Sequence, residues 1–394
     1  MTAHRTFYEW ARREPQRPAV IVPGAVTLTA RELLARVNAV SHALRELGLS
    51  SGDAVAAVLR NGPEYVELSL ATAQVGMYLV PVNWHLAPPE IAYILRDSGA
   101  KVVVAEAAVA ATVPADALPR HRFTVHGTAE GWSPYGSLGA NSATGDPPGR
   151  QAGMTMGYTS GTTGRPKGVR VALPDIDPET MIGEFMIPFF AAYGVRSGDG
   201  VHLVCSPLYH AAPAGHAMAF LHLGNTLVLD EGFDAQRFLQ YVERYRVTST
   251  HMVPTHFHRL LRLPDETRTS RDMSSLEAVI HAGAPCPVET KQQMFDWLGP
   301  IIWEYLASTE GMVSRVTPAE WLARPGTVGR PVDGATVKII TEDGGEAGPG
   351  EPGTVGTPAA ATVRRARDLS PIFRTASGEG PMNAMWQSWR ISAK

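Results

Sequence analysis

Cysteine is nearly absent from this 394-residue chain. There are two, Cys205 and Cys286, far apart and in no Cys-x-x-Cys or Cys/His spacing. A disulfide scaffold and a cysteine-based zinc site are thereby excluded, and both residues read as small buried side chains in a reducing, cytoplasmic compartment. Long apolar runs are missing too. The longest, Leu68–Pro81, is interrupted by Thr72, Gln74 and Gly76, so no integral membrane segment is expected. The start, Met1–Trp10, lacks the apolar core of a secretory signal. Neither sign of charge is in excess: Lys+Arg 35 against Asp+Glu 38 leaves a net −3, which argues against nucleic acid or an anionic membrane as partner. Lysine is scarce within that total, at positions 101, 167, 291, 338 and 394 only, so each lysine merits inspection.

What is present is ordinary globular composition, 44% hydrophobic and 19% charged, at a length that fits two or three domains or one large one. Helical and strand patterns alternate. Leu33, Leu34, Val37, Val40, Leu44 and Leu47 repeat at helical spacing across Ala30–Leu49, and Pro63–Val75 and Pro88–Asp97 also read as helices. Ala54–Leu59, Tyr78–Val82 and Lys101–Ala105 read as strands. The second half continues with strands at Val201–Cys205, Thr226–Leu229, Thr248–Met252, Ala278–Ile280 and Ile301–Glu304, then Thr336–Ile340 entering a hairpin turn. Such alternation predicts α/β architecture, with sheets flanked by helices. The Gly/Pro/Ser/Asn-rich stretch Leu138–Arg150 reads as a linker or loop. From about Pro358 the periodicity is lost, so residues 357–394 read as an atypical tail.

The sharpest local signal is Tyr158-Thr-Ser-Gly-Thr-Thr-Gly-Arg-Pro-Lys-Gly168. Glycines let backbone N–H groups turn inward, hydroxyls add donors, and Lys167 adds positive charge, which together can cradle a polyphosphate; the bland alternative is a polar surface turn. It is not a Walker loop, because Pro166 stands where Gly is needed and Gly168 where Ser or Thr is needed. A P-loop kinase or ATPase is therefore disfavoured. Three histidines, His251, His256 and His258, raise a metal site, but Pro254 breaks their spacing and no carboxylate adjoins them.

The Tyr158–Gly168 segment resembles, nearly letter for letter, the phosphate-binding signature of the adenylate-forming (AMP-binding) enzymes, the acyl-CoA synthetases among them. Further segments match in the family's order: Ser206-Pro-Leu-Tyr-His210, Val279–Pro285, Glu304–Gly311 and Gly326–Gly334, with Arg17–Ile21 and Val80–Trp84 earlier. The resemblance implies the large N-terminal domain of the acyl-CoA synthetase fold over residues 1–356: two α/β subdomains with helix-flanked sheets, plus a small β-barrel-like region toward 315–356. It implies ATP and Mg²⁺ as cofactors, a small carboxylic acid, most plausibly fatty or otherwise apolar, as substrate, and CoA as acceptor in intact relatives. A homodimer is compatible with it.

The resemblance also assigns residues. Thr159, Ser160, Gly161, Thr162, Thr163, Gly164 and Lys167 would hold phosphates. Gly283, Ala284 and Pro285 would line the adenine, with Leu306 and Ala307 where relatives carry an aromatic-Gly pair, Tyr305 lying one residue earlier and Ser308 also on the nucleotide. Glu310 would hold Mg²⁺ with the Thr162 hydroxyl, Thr309 would reach the α-phosphate or the acid, and His210 would lie beside the acid. The family's Thr-Gly-Asp ribose motif and the lysine of its small C-terminal domain have no counterpart after Gly356. That departure predicts a chain of reduced activity, shortened by a frameshift or as a natural short form, with a non-catalytic nucleotide- or acyl-binding protein as the alternative.

Overall fold

The computed structural model describes residues 6–159, 166–308, 311–332, 337–341, 344–348, 351 and 353–356. The expected tail, 357–394, lies outside them.

Helix Ala30–Glu46 starts where its sequence dictates. The Thr29 hydroxyl accepts from the Glu32 N–H, and the Glu32 carboxylate accepts from the Thr29 N–H at 2.8 Å, a reciprocal cap that satisfies two otherwise orphaned donors. Leu33, Val37, Val40 and Leu44 are buried as the periodicity requires. The helix ends at Glu46, short of Leu49, and Gly48 takes φ +86°, a turn that glycine makes without strain.

Two sheets carry the chain. The first has six strands in the spatial order Ser133–Pro134, His121–Val125, Val102–Glu106, Ala54–Val58, Tyr78–Pro81 and Met154–Thr155, every pairing parallel. Ala54–Val58 and Val102–Glu106 are buried at every position, which is why Ala54–Val58 and Val102–Ala105 read as unbroken apolar runs. Lys101 falls just before its strand and pairs with Asp53 at 2.7 Å.

The second sheet has nine strands: Arg330–Pro331, Gly311–Val316, Ile302–Ser308, Ala278–His281, Ser249–Met252, Val201–Val204, Thr226–Leu229, Pro18–Val22 and Val26–Thr29. From Ile302–Ser308 to Pro18–Val22 the pairings are parallel; both ends are closed by antiparallel strands. Helices such as Ala211–His222 and Ala235–Tyr245 connect the parallel strands, as parallel pairing demands. Of the region expected toward 315–356, Gly311–Val316 and Arg330–Pro331 extend this large sheet, and Lys338–Ile340 pairs with Thr354–Gly356 as a separate hairpin. The architecture is the expected pair of helix-flanked α/β units.

Leu138–Arg150 is a loop fastened to helix Ala30–Glu46. Asn38 donates to the Thr144 carbonyl at 2.9 Å, and Arg45 to the Gly149 carbonyl at 2.9 Å. The helix Pro63–Gln74 buries a carboxyl, Glu67, which accepts from the Tyr135 hydroxyl at 3.0 Å and faces Arg36 at 3.3 Å. Burial outweighs these partners and pushes its pKa up to about 7 from an unfolded value of 4.5. Between those values the unfolded chain releases the proton while the folded chain keeps it, so stability falls as pH rises from about 4.5 to 7. Glu67→Gln should flatten that slope and gain up to about 3 kcal/mol over the parent at pH 8. Urea titrations at pH 5 and pH 8 check this; an equal difference at both would refute it.

Candidate active site

The strand order of the large sheet reverses at one place. From Val201–Val204 the chain steps outward to Thr226–Leu229, then crosses back to Ser249–Met252 on the other side. In open α/β sheets, ligands bind beyond the carboxyl ends of strands at such a switch point. Ser206–His210 follows the first of these strands, Val253–Pro254 the last, and Gly283–Pro285 follows the next strand over.

The carboxyl ends of the two sheets face each other across a seam. Asn61, just beyond Ala54–Val58, is buried and donates to the Ser206 carbonyl at 3.0 Å and the Asp230 carbonyl at 2.8 Å, while its own carbonyl accepts from the Leu208 N–H at 2.8 Å. One side chain thus fixes the Ser206–His210 segment to the opposite sheet. Aromatic contacts run along the same seam. Arg60 sits 4.6 Å over Trp84, Trp84 stacks on His85 at 3.5 Å, His85 meets Tyr209 at 6.4 Å, and Tyr209 packs on His210 at 4.6 Å. The motif segments Val80–Trp84 and Ser206–His210, far apart in sequence, are therefore joined here.

His210 caps the helix Ala211–His222 and is open to solvent, yet enough protein surrounds its ring to lower its pKa by desolvation. Thr159 ends the strand Gly157–Thr159, and Lys167 opens Lys167–Val169; the two are directly paired, antiparallel. The described parts of the motif, Gly157–Thr159 and Lys167–Val169, are thus two adjacent antiparallel strands. A Walker loop would lead into a helix, so the return strand agrees with excluding one. Lys167 is exposed at the start of its strand. Gly168 is closely packed: a Cβ there would come 2.5 Å from the Met156 methyl, which would have to swing aside, and 3.0 Å from the Tyr158 ring. Ser160, Gly161, Thr162, Thr163, Gly164, Thr309 and Glu310 lie outside the described residues.

Gly283 has φ +87°, a conformation that glycine tolerates best, and Gly283, Ala284 and Pro285 are exposed at the end of Ala278–His281. The strand register slips between Leu306 and Ala307, an irregularity that re-aims side chains at the strand end. Tyr305 points into the core, its hydroxyl 2.9 Å from His251 Nε2. It therefore does not supply the missing aromatic beside Leu306, which is half-buried.

The histidine triplet is dispersed. His251 is buried against Tyr305, His256 stacks on Phe233 at 4.0 Å, and His258 is exposed. Among the described residues no group of His, Cys, Asp or Glu is placed to hold a metal, and no helix is long and apolar enough to cross a membrane. Cys205 is buried, but Cys286 is only half-buried, correcting the expectation for it. Its site is the margin of a cluster around Lys291, and desolvation raises both thiols to about 12, leaving them protonated. A cleft of about 480 Å³, lined in part by Arg120, His121, Arg122 and Ser142, opens elsewhere, near the His121–Val125 edge of the small sheet. Asn61, His85, His216 and Tyr193 were not singled out by sequence; each is an isolated residue outside a motif.

Two helix-flanked α/β sheets, with one strand-order reversal and the candidate residues beyond its carboxyl ends, define a doubly wound α/β fold of the kind that binds ligands at a switch point. The chain belongs to the AMP-binding enzyme family, whose model matches residues 7–357. It is 32% identical over 358 residues to a feruloyl-CoA synthase of Amycolatopsis, covering 88% of this chain and 67% of that protein. It is 30% identical to the long-chain-fatty-acid–CoA ligase FadD13 of Mycobacterium tuberculosis, covering 69% and 53%. Among solved structures, an acyl-CoA synthetase of Brucella canis matches with TM-score 0.75 and 28% identity, covering 90% of this chain and 67% of that one. The N-terminal domain of FACL13 from Mycobacterium tuberculosis matches with TM-score 0.73 and 26% identity, covering 89% and 88%. The chain spans about two thirds of the length of the feruloyl-CoA synthases.

Proposed function

We propose that the chain activates a small carboxylic acid with ATP. The carboxylate oxygen attacks the α-phosphorus, the bond to the leaving pyrophosphate breaks, and an acyl adenylate forms, which in CoA ligases is then passed to a thiol. The observation that supports this reading is the antiparallel pairing of Thr159 with Lys167, which sets the lysine directly beside the strand that leads into the glycine- and hydroxyl-rich stretch of the sequence.

Two anions must be brought together, so the site has to neutralise charge and fix geometry. In this reading Thr159, Ser160, Gly161, Thr162, Thr163 and Gly164 donate to the phosphates, and Lys167 adds a point charge. Gly283, Ala284, Pro285, Leu306, Ala307 and Ser308 border the adenine, Thr309 reaches the α-phosphate or the carboxylate, and His210 stands beside the acid. Glu310 and the Thr162 hydroxyl form a hard-oxygen donor set, the kind Mg²⁺ takes; they would hold the ion, which when bound offsets phosphate charge. Residues 1–356 carry the activity, and residues 357–394 are assigned no part in it. The family resemblance points to an apolar acid, while relatives named for ferulate, indoleacetate and long-chain fatty acids span several classes.

The test is acid-dependent pyrophosphate release by the full chain with ATP and Mg²⁺, over a panel of aryl and fatty acids. Lys167→Ala and Glu310→Ala are each expected to lower the rate ~10²–10³-fold, by analogy with losing one oxyanion-hole donor. Release that neither substitution alters would overturn the assignment. ATP binding without release under any acid would favour a binding protein.

A further inference from the structure

Helix Pro88–Ser98 buries Ile91, Ile94 and Leu95 against the small sheet and ends where Gly99 takes φ +63°. Tyr93 and Asp97 stand one helical turn apart, so they are neighbours on the helix surface. They lie at the margin of its apolar face, Tyr93 half-buried and Asp97 exposed. Both reach from the helix to the same stretch of chain. Asp97 Oδ2 accepts from the Tyr158 hydroxyl at 2.7 Å. The Tyr93 hydroxyl donates to the Pro166 carbonyl at 3.1 Å, an acceptor closer than Asp97 Oδ1 at 3.5 Å. Burial and the carboxylate push the Tyr158 phenol far above its usual pKa, so it keeps its proton and is the donor.

The placement of these bonds is what gives them meaning. Tyr158 lies on Gly157–Thr159, the strand that leads into residues 160–165, and Pro166 directly precedes Lys167–Val169, the strand that follows them. Beyond that second strand the Tyr78 hydroxyl donates to the Val171 carbonyl at 2.6 Å. The backbone pairing of Thr159 with Lys167, Tyr158 with Gly168 and Gly157 with Val169 already fixes the register of the two strands. What the side chains add is the position of that pair on the small sheet and its helix.

Position matters because residues 160–165 are costly to order. They include Gly161 and Gly164, and glycine loses more backbone freedom on being fixed than any other residue. A segment held at both flanks samples fewer arrangements, and a ligand's apparent affinity rises with the fraction of chains already competent to bind it. The charge of Asp97 points the same way. An anion bonded to the flank of a phosphate-binding segment repels the ligand's phosphates. It can favour such a ligand only through the hydrogen bond that it accepts.

We propose that Tyr93 and Asp97 are positioning residues for the triphosphate of ATP, holding the two flanks of the glycine- and hydroxyl-rich segment through Pro166 and Tyr158. This rests on the phosphate-binding part of the adenylation reading and extends it to a helix outside every motif.

The experiment is calorimetric titration of the full chain with ATP and with AMP, Mg²⁺ present, for the parent and four variants. Asp97→Ala, Tyr158→Phe and Tyr93→Phe should each weaken ATP roughly three- to tenfold, the size of one hydrogen bond. AMP, which lacks two of the phosphates, should be weakened less. Adding Asp97→Ala to Tyr158→Phe should cost nothing further, because both remove the same bond. Asp97→Asn keeps an oxygen that can accept, so it should recover most of the loss. A merely structural contact would lower the number of sites titrated and leave their Kd unchanged. ATP Kd values equal to the parent's, tighter ATP binding by Asp97→Ala, or AMP weakened as much as ATP would overturn the proposal. If Asp97→Ala does not fold, the two Phe variants, which keep their rings, decide. Pyrophosphate release separates the two readings. Acid-dependent release with an ATP KM that no substitution moves keeps adenylation and overturns this inference. ATP binding that depends on Tyr93 and Asp97, with no release under any acid, does the reverse. A parent that binds no ATP overturns both.

Discussion

Exchanging Lys291 for methionine should lower stability by about 3–5 kcal/mol, the cost of stripping one partner from a buried ion pair. The Lys291 side chain is fully buried. Its Nζ lies 2.6 Å from Glu304 Oε2 and 4.9 Å from the centre of the Trp321 ring. Desolvation lowers the lysine pKa and Glu304 works against that shift. His281 Nε2 is 3.7 Å from the same carboxylate, but burial holds that imidazole neutral, so it does not replace the lost charge. Methionine keeps the apolar stem against Trp321 and leaves Glu304 without its cation. The double exchange Lys291→Met with Glu304→Leu should recover most of the loss, since a buried pair can be replaced by apolar groups at little net cost. Urea midpoints for the four members of that cycle give the coupling directly. A Lys291→Met midpoint equal to the parent's would show that the pair carries no structural charge balance.

Asn61→Ala is the second large effect. It leaves three groups, the Ser206 and Asp230 carbonyls and the Leu208 N–H, without the partner described. Orphaned buried polar groups cost roughly 1–3 kcal/mol each, so a loss of about 3 kcal/mol or more is expected, read from a denaturant titration. Because Ser206–His210 then loses its anchor on the opposite sheet, pyrophosphate release should fall further than the residual folded fraction accounts for. Asn61→Asp retains the acceptor for Leu208 but turns a carboxylate oxygen toward two buried carbonyl acceptors, so it should be no more stable than Ala. Release from folded Asn61→Ala that matches the parent's would show that the anchor does not position the segment.

The parts of the fold that sequence reveals are those buried on both faces or written in unbroken periodicity. Ala54–Val58, Val102–Glu106 and Thr226–Leu229 are buried at every position and apolar apart from Glu106 and Thr226 at their ends, so their pattern is plain. Edge strands are not: Ser133–Pro134 is exposed, Met154–Thr155 is two residues long, and Val26–Thr29 buries only Leu28. Their existence depends on what lies beside them. The same distinction holds at the site. The Tyr158–Gly168 segment is local, because one loop's backbone requires its glycines and hydroxyls to be consecutive. Asn61 acts through partners that lie from 145 to 169 positions away, and an isolated Asn carries no local mark of that. The Lys291–Glu304 pair was half visible. The scarcity of lysine singled out one member, while burial and the partner came only with the packing.

The strand Pro18–Val22 has a bearing on how the chain is made. Val20 pairs with Leu227 in the parallel part of the large sheet, so its partner is synthesised about two hundred residues later. At roughly 5–20 residues per second that is on the order of 10–40 s of translation. During this interval the antiparallel hairpin with Val26–Thr29 covers one edge, while the other presents Ala19, Val20 and Ile21 unpaired. An exposed β-edge of this composition invites pairing with another chain. The nascent protein therefore carries an aggregation hazard throughout this interval, and ribosome-bound chaperones that cover the edge should raise its soluble yield.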